Sequence, residues 1–502
     1  MRPISSQLRK IVSLTTAVLF VMLFALLVWR SRSADAQYEE KVIPPTCTKN
    51  GYTMLTSKAD GSVIVDRVVP ALGHDYGAWQ LEEETALLTR QSRTCTVCGD
   101  ADVLVTYPAF SIPTLVLEGD LSRIGKKSEV SVSAAFYGQS EFSLPATLKH
   151  QGHSSLSYDK KNYTLKLFQD EAREKKNKLT LEHWNPENKY ILKANYIDSS
   201  QCRNLVCANV WADVVASRAE LPRQLRELSN YGAVDGFPIA LYINAQFQGI
   251  YTWNLHKDDD LYGMKDGSDH AVVISNTDGS AEAYFRTEAT FGEASPWEVE
   301  YCGTEDNQWV KDKLNQLIRF TMESDDETFL RQLPQYVDVQ SAIDYLICVY
   351  ALGLTRHGAD EQVLICYGRE EPWIFTMYDM ETGFGLSADG TDSFAPEAYL
   401  PVEESGVWDS ATGNLLWDRM LQLYFPEIQS RYRALRQDVL QPAGIIDRVS
   451  TMMDSIGAEL YAADHAVYPH PNPQMDHLIQ ISQYITKRIE LLDNILLTQR
   501  GE

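Results

Sequence analysis

Trp373-Ile-Phe-Thr-Met-Tyr-Asp379-Met-Glu381-Thr-Gly-Phe384-Gly385-Leu386 is the stretch on which the reading of this chain turns. Ile374 to Tyr378 is an apolar run with the length of a short buried strand. It stops at an acid, and Phe-Gly follows five residues later. A carboxylate at a strand end, before a turn released by glycine, suits a metal ion held against phosphates. An Asp that merely opens a turn is the plainer reading of the same residues.

Outward from this stretch, the 502 residues leave room for one large domain and smaller pieces. With 44% hydrophobic and 23% charged residues, the composition is that of a folded protein. A formal charge of −24 repels polyanions and argues against nucleic acid as a partner. Ile11 to Trp29 carries no charge over nineteen residues. As a helix it would span about 28 Å, which matches the hydrocarbon core. The expectation is a transmembrane anchor at 11–29, with residues 1–10 cytoplasmic, a linker at 30–42 and the bulk of a single-pass protein outside the cytoplasm. A cleaved signal peptide ending near Ala34-Asp35-Ala36 is the rival, but its apolar region would be only about 7–15 residues long.

Residues 43–108 are rich in Thr, Val and Gly and lack helical periodicity, which predicts a small β-rich module. Pro45-Thr-Cys47 is echoed by Thr94-Cys95-Thr-Val-Cys98-Gly99, with Gly73-His74 between them. Cys47, His74, Cys95 and Cys98 could bind Zn²⁺, since Cys-x-x-Cys is a normal two-ligand bite. A disulfide, or a repeat that has lost its metal, are the alternatives. The pattern resembles small Cys-containing repeats of surface proteins from Gram-positive anaerobes. The five remaining cysteines read as small buried hydrophobes.

From residue 109 to 500 the expectation is one α+β domain. Strands are predicted at Thr114–Glu118, Glu129–Phe136, Ala146–Gln151 and Asn162–Phe168. A helix at 199–217 would start from the capping box Asp198-Ser-Ser-Gln201. Ile239–Ile243 and Gly249–Asn254 read as a hairpin. Beyond 306 the texture is mainly helical, with strands at Gln362–Tyr367 and Trp373–Tyr378. Strands first and helices second imply two lobes.

Between 149 and 178 there are eight Lys/Arg against four Asp/Glu in an otherwise acidic chain. The turn Gly152-His-Ser154-Ser155, followed by Lys160 and Lys161, suits a phosphate cradle of backbone N–H groups and an ammonium. A solvated hairpin with edge lysines explains the same residues equally well.

The ordered segments resemble the CotH-type (spore-coat protein H-like) kinase family, from about Ile112 to Leu497. The resemblance is carried by Gly152-His-Ser-Ser with Lys160-Lys161-Asn-Tyr, by Leu192-Lys193-Ala-Asn-Tyr-Ile-Asp198 through Arg203-Asn204, and by Val234-Asp-Gly-Phe-Pro through Asn244. Gly249-Ile-Tyr251-Thr-Trp253-Asn with Lys257, and Tyr378-Asp379-Met-Glu381 with Phe384-Gly385, complete it. It implies an atypical, two-lobed protein-kinase-like fold with a β-rich N-lobe and a helical C-lobe. It also implies ATP and Mg²⁺ as cofactors, and transfer of phosphate to Ser/Thr of a protein substrate or surface (coat) protein. Lys160 or Lys161 would meet the phosphates, together with Gly152, Ser154, Ser155, Lys193 and Arg203. Trp253 and Lys257 would lie near the adenine. Asp379 would bind Mg²⁺ with help from Glu381. The family's Asp-x-x-x-x-Asn is met here by His357-Gly-Ala-Asp360-Glu361-Gln362. His357 would then be the acid/base, or, with a shift of one or two residues, Asp360 or Glu361, and Gln362 would be a metal ligand. With His in place of Asp, a lapsed enzyme retained as a binding or structural module is the second expectation.

Overall fold

The computed structural model describes residues 38–58, 60–264, 270–354, 356–358, 360–400, 413–469 and 471–498. It divides into two units, with the boundary between Pro108 and Ala109. The expected anchor at 11–29 lies outside the described residues. Among those described, no helix is long and apolar enough to cross a membrane. The transmembrane helix in the expected fold, and the single-pass membrane localisation with it, therefore find no support among the described residues.

The first unit consists of two antiparallel three-stranded sheets. One is β1 (Tyr38–Ile43), β2 (Gly51–Ser57) and β3 (Val63–Val69); the other is β4 (Gln80–Glu84), β5 (Thr89–Thr94) and β6 (Ala101–Thr106). Tyr38–Ile43, read as the end of a linker, is a strand because it pairs along its whole length with β2.

The second unit begins with a closed barrel where a β-rich N-lobe was expected. Its strands are β7 (Thr114–Glu118), β8 (Val130–Tyr137), β9 (Phe142–Gln151), β10 (Asn162–Leu167), β11 (Lys189–Lys193), β12 (Gly236–Ile243) and β13 (Gln246–Leu255), in the order β10-β11-β13-β12-β7-β8-β9. The alternation in β8 shows why it closes: Val130, Val132, Ala134 and Phe136 point inward, Ser131 and Ser133 outward. Asn244 and Ala245, both at positive φ, make the β12–β13 turn, whose twist matches that of the strands it joins. Beyond residue 306 the chain is mainly helical with strands near 362–366 and 374–377, as expected, but these strands join two earlier ones in a sheet, which corrects the expectation of a helical lobe. Strands β14 (Val272–Asn276), β15 (Trp297–Cys302), β16 (Gln362–Cys366) and β17 (Ile374–Met377) form this antiparallel sheet, ordered β15-β14-β16-β17. The two-lobed protein-kinase-like description therefore gives way to an α+β unit of barrel, sheet and helices.

A buried ion pair ties the late helix Ala458–Val467 to the barrel. Lys160 Nζ lies 2.7 Å from Asp464 Oδ1, and both side chains are 1% exposed. A bulge opens the β12–β13 ladder beside Gly249. There the Ile250 N–H donates to Asp464 and the Ile250 carbonyl accepts from Lys160. Gly249 has φ +102°, and a Cβ there would run into Asp464. Asp464→Ala should therefore lower stability by about 3–5 kcal/mol in urea unfolding. The double variant Lys160→Met/Asp464→Leu, which leaves no lone charge, should recover most of that loss.

Candidate functional site

A cleft of ≈ 430 Å³ lies between the barrel and the four-stranded sheet. The barrel contributes the Gly152 turn after β9, Asn162 and Thr164 of β10, and Lys193 at the end of β11. Ser275 and Asn276 of β14, Glu298 and Glu300 of β15, Glu361, Asp379 and Glu381 line it from the other side. Gly152, at φ +106°, lets the turn fold back so closely that a Cβ would overlap Ser155 Oγ.

Lys193 is the charge centre of this cleft. Its Nζ bonds Asp379 and stands 3.2 Å from Glu381 Oε2. Lys193 is 8% exposed and Asp379 37%, so the carboxylate faces the opening while the ammonium lies beneath it. Burial alone would lower the Lys193 pKa, but Asp379 and Glu381 outweigh it and raise it. Burial would raise Asp379, yet Lys193 holds it below the usual carboxylate range. Glu381 is pushed up by burial and by Asp379, against the pull of Lys193. Glu361 is pushed well up by burial and by Asp379. Its Oε1 is 2.9 Å from Arg356, whereas the buried Oε2 has no hydrogen-bond partner. Asp379 and Glu361 both sit at positive φ, near +59° and +58°. Non-glycine residues held there cost of order 1–3 kcal/mol, and such positions cluster at functional sites.

The loop after Asp379 is anchored from below. Asn204 accepts the Met380 N–H at 2.8 Å, and Arg203 donates to the Gly383 carbonyl at 2.8 Å. Gly385, at φ +74°, packs against Tyr484, where any Cβ would clash. Arg203 also bonds Asp198 and Gln480 and is fully buried. Asp198 does not cap a helix from 199, because the helix starts only at Arg203. Its carboxylate instead receives the Ser200 and Arg203 N–H groups.

A family model described as CotH kinase protein matches residues 148–492, more than half of the chain. The chain belongs to the CotH kinase family. No curated protein matches it. The CotH span begins in β9 and covers the Gly152 turn, Lys193, Asp379 and the last long helix, His477–Asp493.

Within the CotH span the structure brings together Gly152, Ser155, Lys193, Lys257, Asp379 and Glu381. Lys257 lies 2.7 Å from Glu300 and over the Tyr378 ring. Ser154 falls in the single turn Ser154–Ser157. Several expected ligands lie elsewhere. Lys160 is committed to Asp464, and Lys161 bonds the Leu156 and Tyr158 carbonyls that close the turn. Arg203 is a brace beneath the loop. Trp253 is barrel core, edge-on to Phe136 and Tyr190 and stacked on Phe237. Gln362 is buried in β16, its amide donating to the Ala283 carbonyl. Asp360 pairs with Arg356 at 3.4 Å. His357 is buried, with Nε2 at 3.0 Å from the Tyr378 carbonyl. Glu361 entered the motif reading only as a shifted alternative, and Asn276, Glu300 and Arg356 are among the cleft residues that it did not assign. Asn276 carries the same signal as Asp379, a polar residue ending a short apolar strand. In the first unit, Cys47, His74, Cys95 and Cys98 converge, their ligand atoms all within 4.8 Å of one another.

Burial first of all lowers His357 from 6.5 to about 4, so it is neutral at pH 7. The folded protein resists charging it, whereas the unfolded chain charges it near 6.5. Its stabilising contribution is complete above that value and is lost as pH falls toward 4, by roughly 3 kcal/mol. Urea midpoints measured across this range should show the slope, and His357→Gln should flatten it.

Proposed function

We propose that this CotH-family chain is a phosphotransferase that uses Mg²⁺-ATP and acts on Ser or Thr hydroxyls of a protein partner. The observation that carries the reading is Lys193 held between Asp379 and Glu381 in a cleft also lined by the Gly152 turn. Asp379 and Glu381 would hold Mg²⁺. The donors suit a hard cation, and Glu361 Oε2, which has no hydrogen-bond partner and lies 3.7 Å from Nδ1 of neutral His357, is what missing positive charge would leave behind. When bound, Mg²⁺ neutralises phosphate charge and orients the transferring group.

The chain's own residues supply the rest. Lys193 offers a fixed ammonium for phosphate oxygens, and the Gly152 turn offers a backbone unshielded by a side chain. Once a bound cation offsets the burial that favours its neutral form, Glu361 would supply the anionic group beside Asp379 that neutral His357 does not, and would accept the proton of the acceptor hydroxyl. Arg356 keeps Glu361 in place through Oε1. With Mg²⁺-ATP and a generic Ser/Thr protein acceptor, Asp379→Ala and Lys193→Ala should lower labelling by about 100-fold or more. Lys161→Ala should retain most of it, because Lys161 serves the turn and not the cleft. Equal labelling by all four proteins would refute the assignment.

A second reading, a non-catalytic binding module, is favoured by the inward bonds of His357 and Gln362. It predicts Mg²⁺-dependent nucleotide binding by calorimetry with no turnover. In that case Glu361→Gln would change binding alone, whereas in an active enzyme it should also abolish the acidic limb of the pH–rate profile.

A further inference from the structure

We propose that Cys47, His74, Cys95 and Cys98 form a closed zinc site that holds the first unit, residues 38–108, together. Zn–S bonds of about 2.3 Å in a tetrahedron place two sulfurs roughly 3.8 Å apart. Cys47 Sγ and Cys95 Sγ are 3.9 Å apart, and Cys98 Sγ is 3.3 Å from His74 Nδ1. A disulfide would need about 2.05 Å. Three sulfurs and one imidazole complete four-coordination with no position left for substrate, which is the pattern of a structural site.

The surroundings prepare these groups for a cation. Asp100 Oδ2 lies 3.7 Å from His74 Nε2 and accepts the Tyr76 hydroxyl at 2.8 Å. A carboxylate behind the far nitrogen orients a ligating imidazole and fixes which nitrogen meets the metal.

An independent observation points to the same ligand. Among the described residues of this unit, the buried apolar side chains are Cys47, Leu88 and Cys95. Strand β4 is exposed throughout and β3 nearly so. A unit this small with so little core needs a staple. The ligands are placed to provide one. Cys47 precedes β2, His74 follows β3, and Cys95 and Cys98 occupy the β5–β6 turn. One ion thus draws on segments flanking strands of both three-stranded sheets.

The test uses the full chain, purified reduced and supplied with Zn²⁺. Native mass spectrometry should find one zinc per chain. X-ray absorption should show three sulfurs near about 2.3 Å and one nitrogen near about 2.0 Å. Chelation should make amides of residues 38–108 exchange fast while those of the barrel stay protected. Cys98→Ser and His74→Ala should lose the metal. Since either could unfold the unit, Asp100→Asn is the second probe: zinc affinity should fall by about 10-fold or more with the sulfur shell unchanged. An oxygen-and-nitrogen shell, absence of zinc from the reduced protein, or a zinc-free protein carrying a Cys47–Cys95 disulfide with the same exchange protection would each overturn the proposal.

Discussion

The fully buried guanidinium of Arg203 is the interaction on which the cleft depends. It reaches Asp198 just after the barrel strand that ends in Lys193, Gly383 in the acidic loop, and His477 and Gln480 on the last long helix. A cation out of water is tolerable only when its donors are met, and breaking such a pair costs about 3–5 kcal/mol. Here the hydrogen bonds join segments far apart in the chain. Barrel, loop and C-terminal helix are therefore registered against one another, and Lys193 comes to face Asp379.

With that frame in place, the electrostatics of the cleft follow. One ammonium sits beneath three carboxyl groups, and it can stabilise as anions only those closest to it. Asp379, bonded directly, is held ionised, while Glu361, farther away and buried, is pushed toward its neutral form. This unequal sharing makes the cleft receptive to a further cation. The left-handed conformations of Asp379 and Glu361 hold both acids at the ends of neighbouring strands β17 and β16.

Much of this was legible in residue patterns. Strand Thr114–Glu118 and the Asn244 hairpin follow from apolar runs bounded by turn residues. Asp379 stands out because an acid ends a buried run. The lysines were harder. Lys160, Lys161 and Lys193 have the same chemistry, and their roles differ only through partners distant in sequence, Asp464 for one and Asp379 for another. Trp253 was placed near the adenine because its neighbours carry family motifs, but inward-facing positions of a closed barrel must be filled, and it fills one. Strand β14 was not predicted because a short apolar run reads alike as strand or helix.

By itself the sequence determined which chemistry was present: a strand ending in Asp379, a glycine turn at 152, a Cys-x-x-Cys with a partner cysteine and histidine, and an order of motifs that marks the CotH family. Local rules suffice for these because period, turn residues and ligand type are properties of neighbouring positions. Only the tertiary structure decided which lysine meets the acids, that Glu361 and not His357 enters the cleft, and that four zinc-type ligands from three separate segments converge. Those choices depend on burial and on contacts across hundreds of residues, where the energy of a charge is set by what surrounds it and not by its place in the chain.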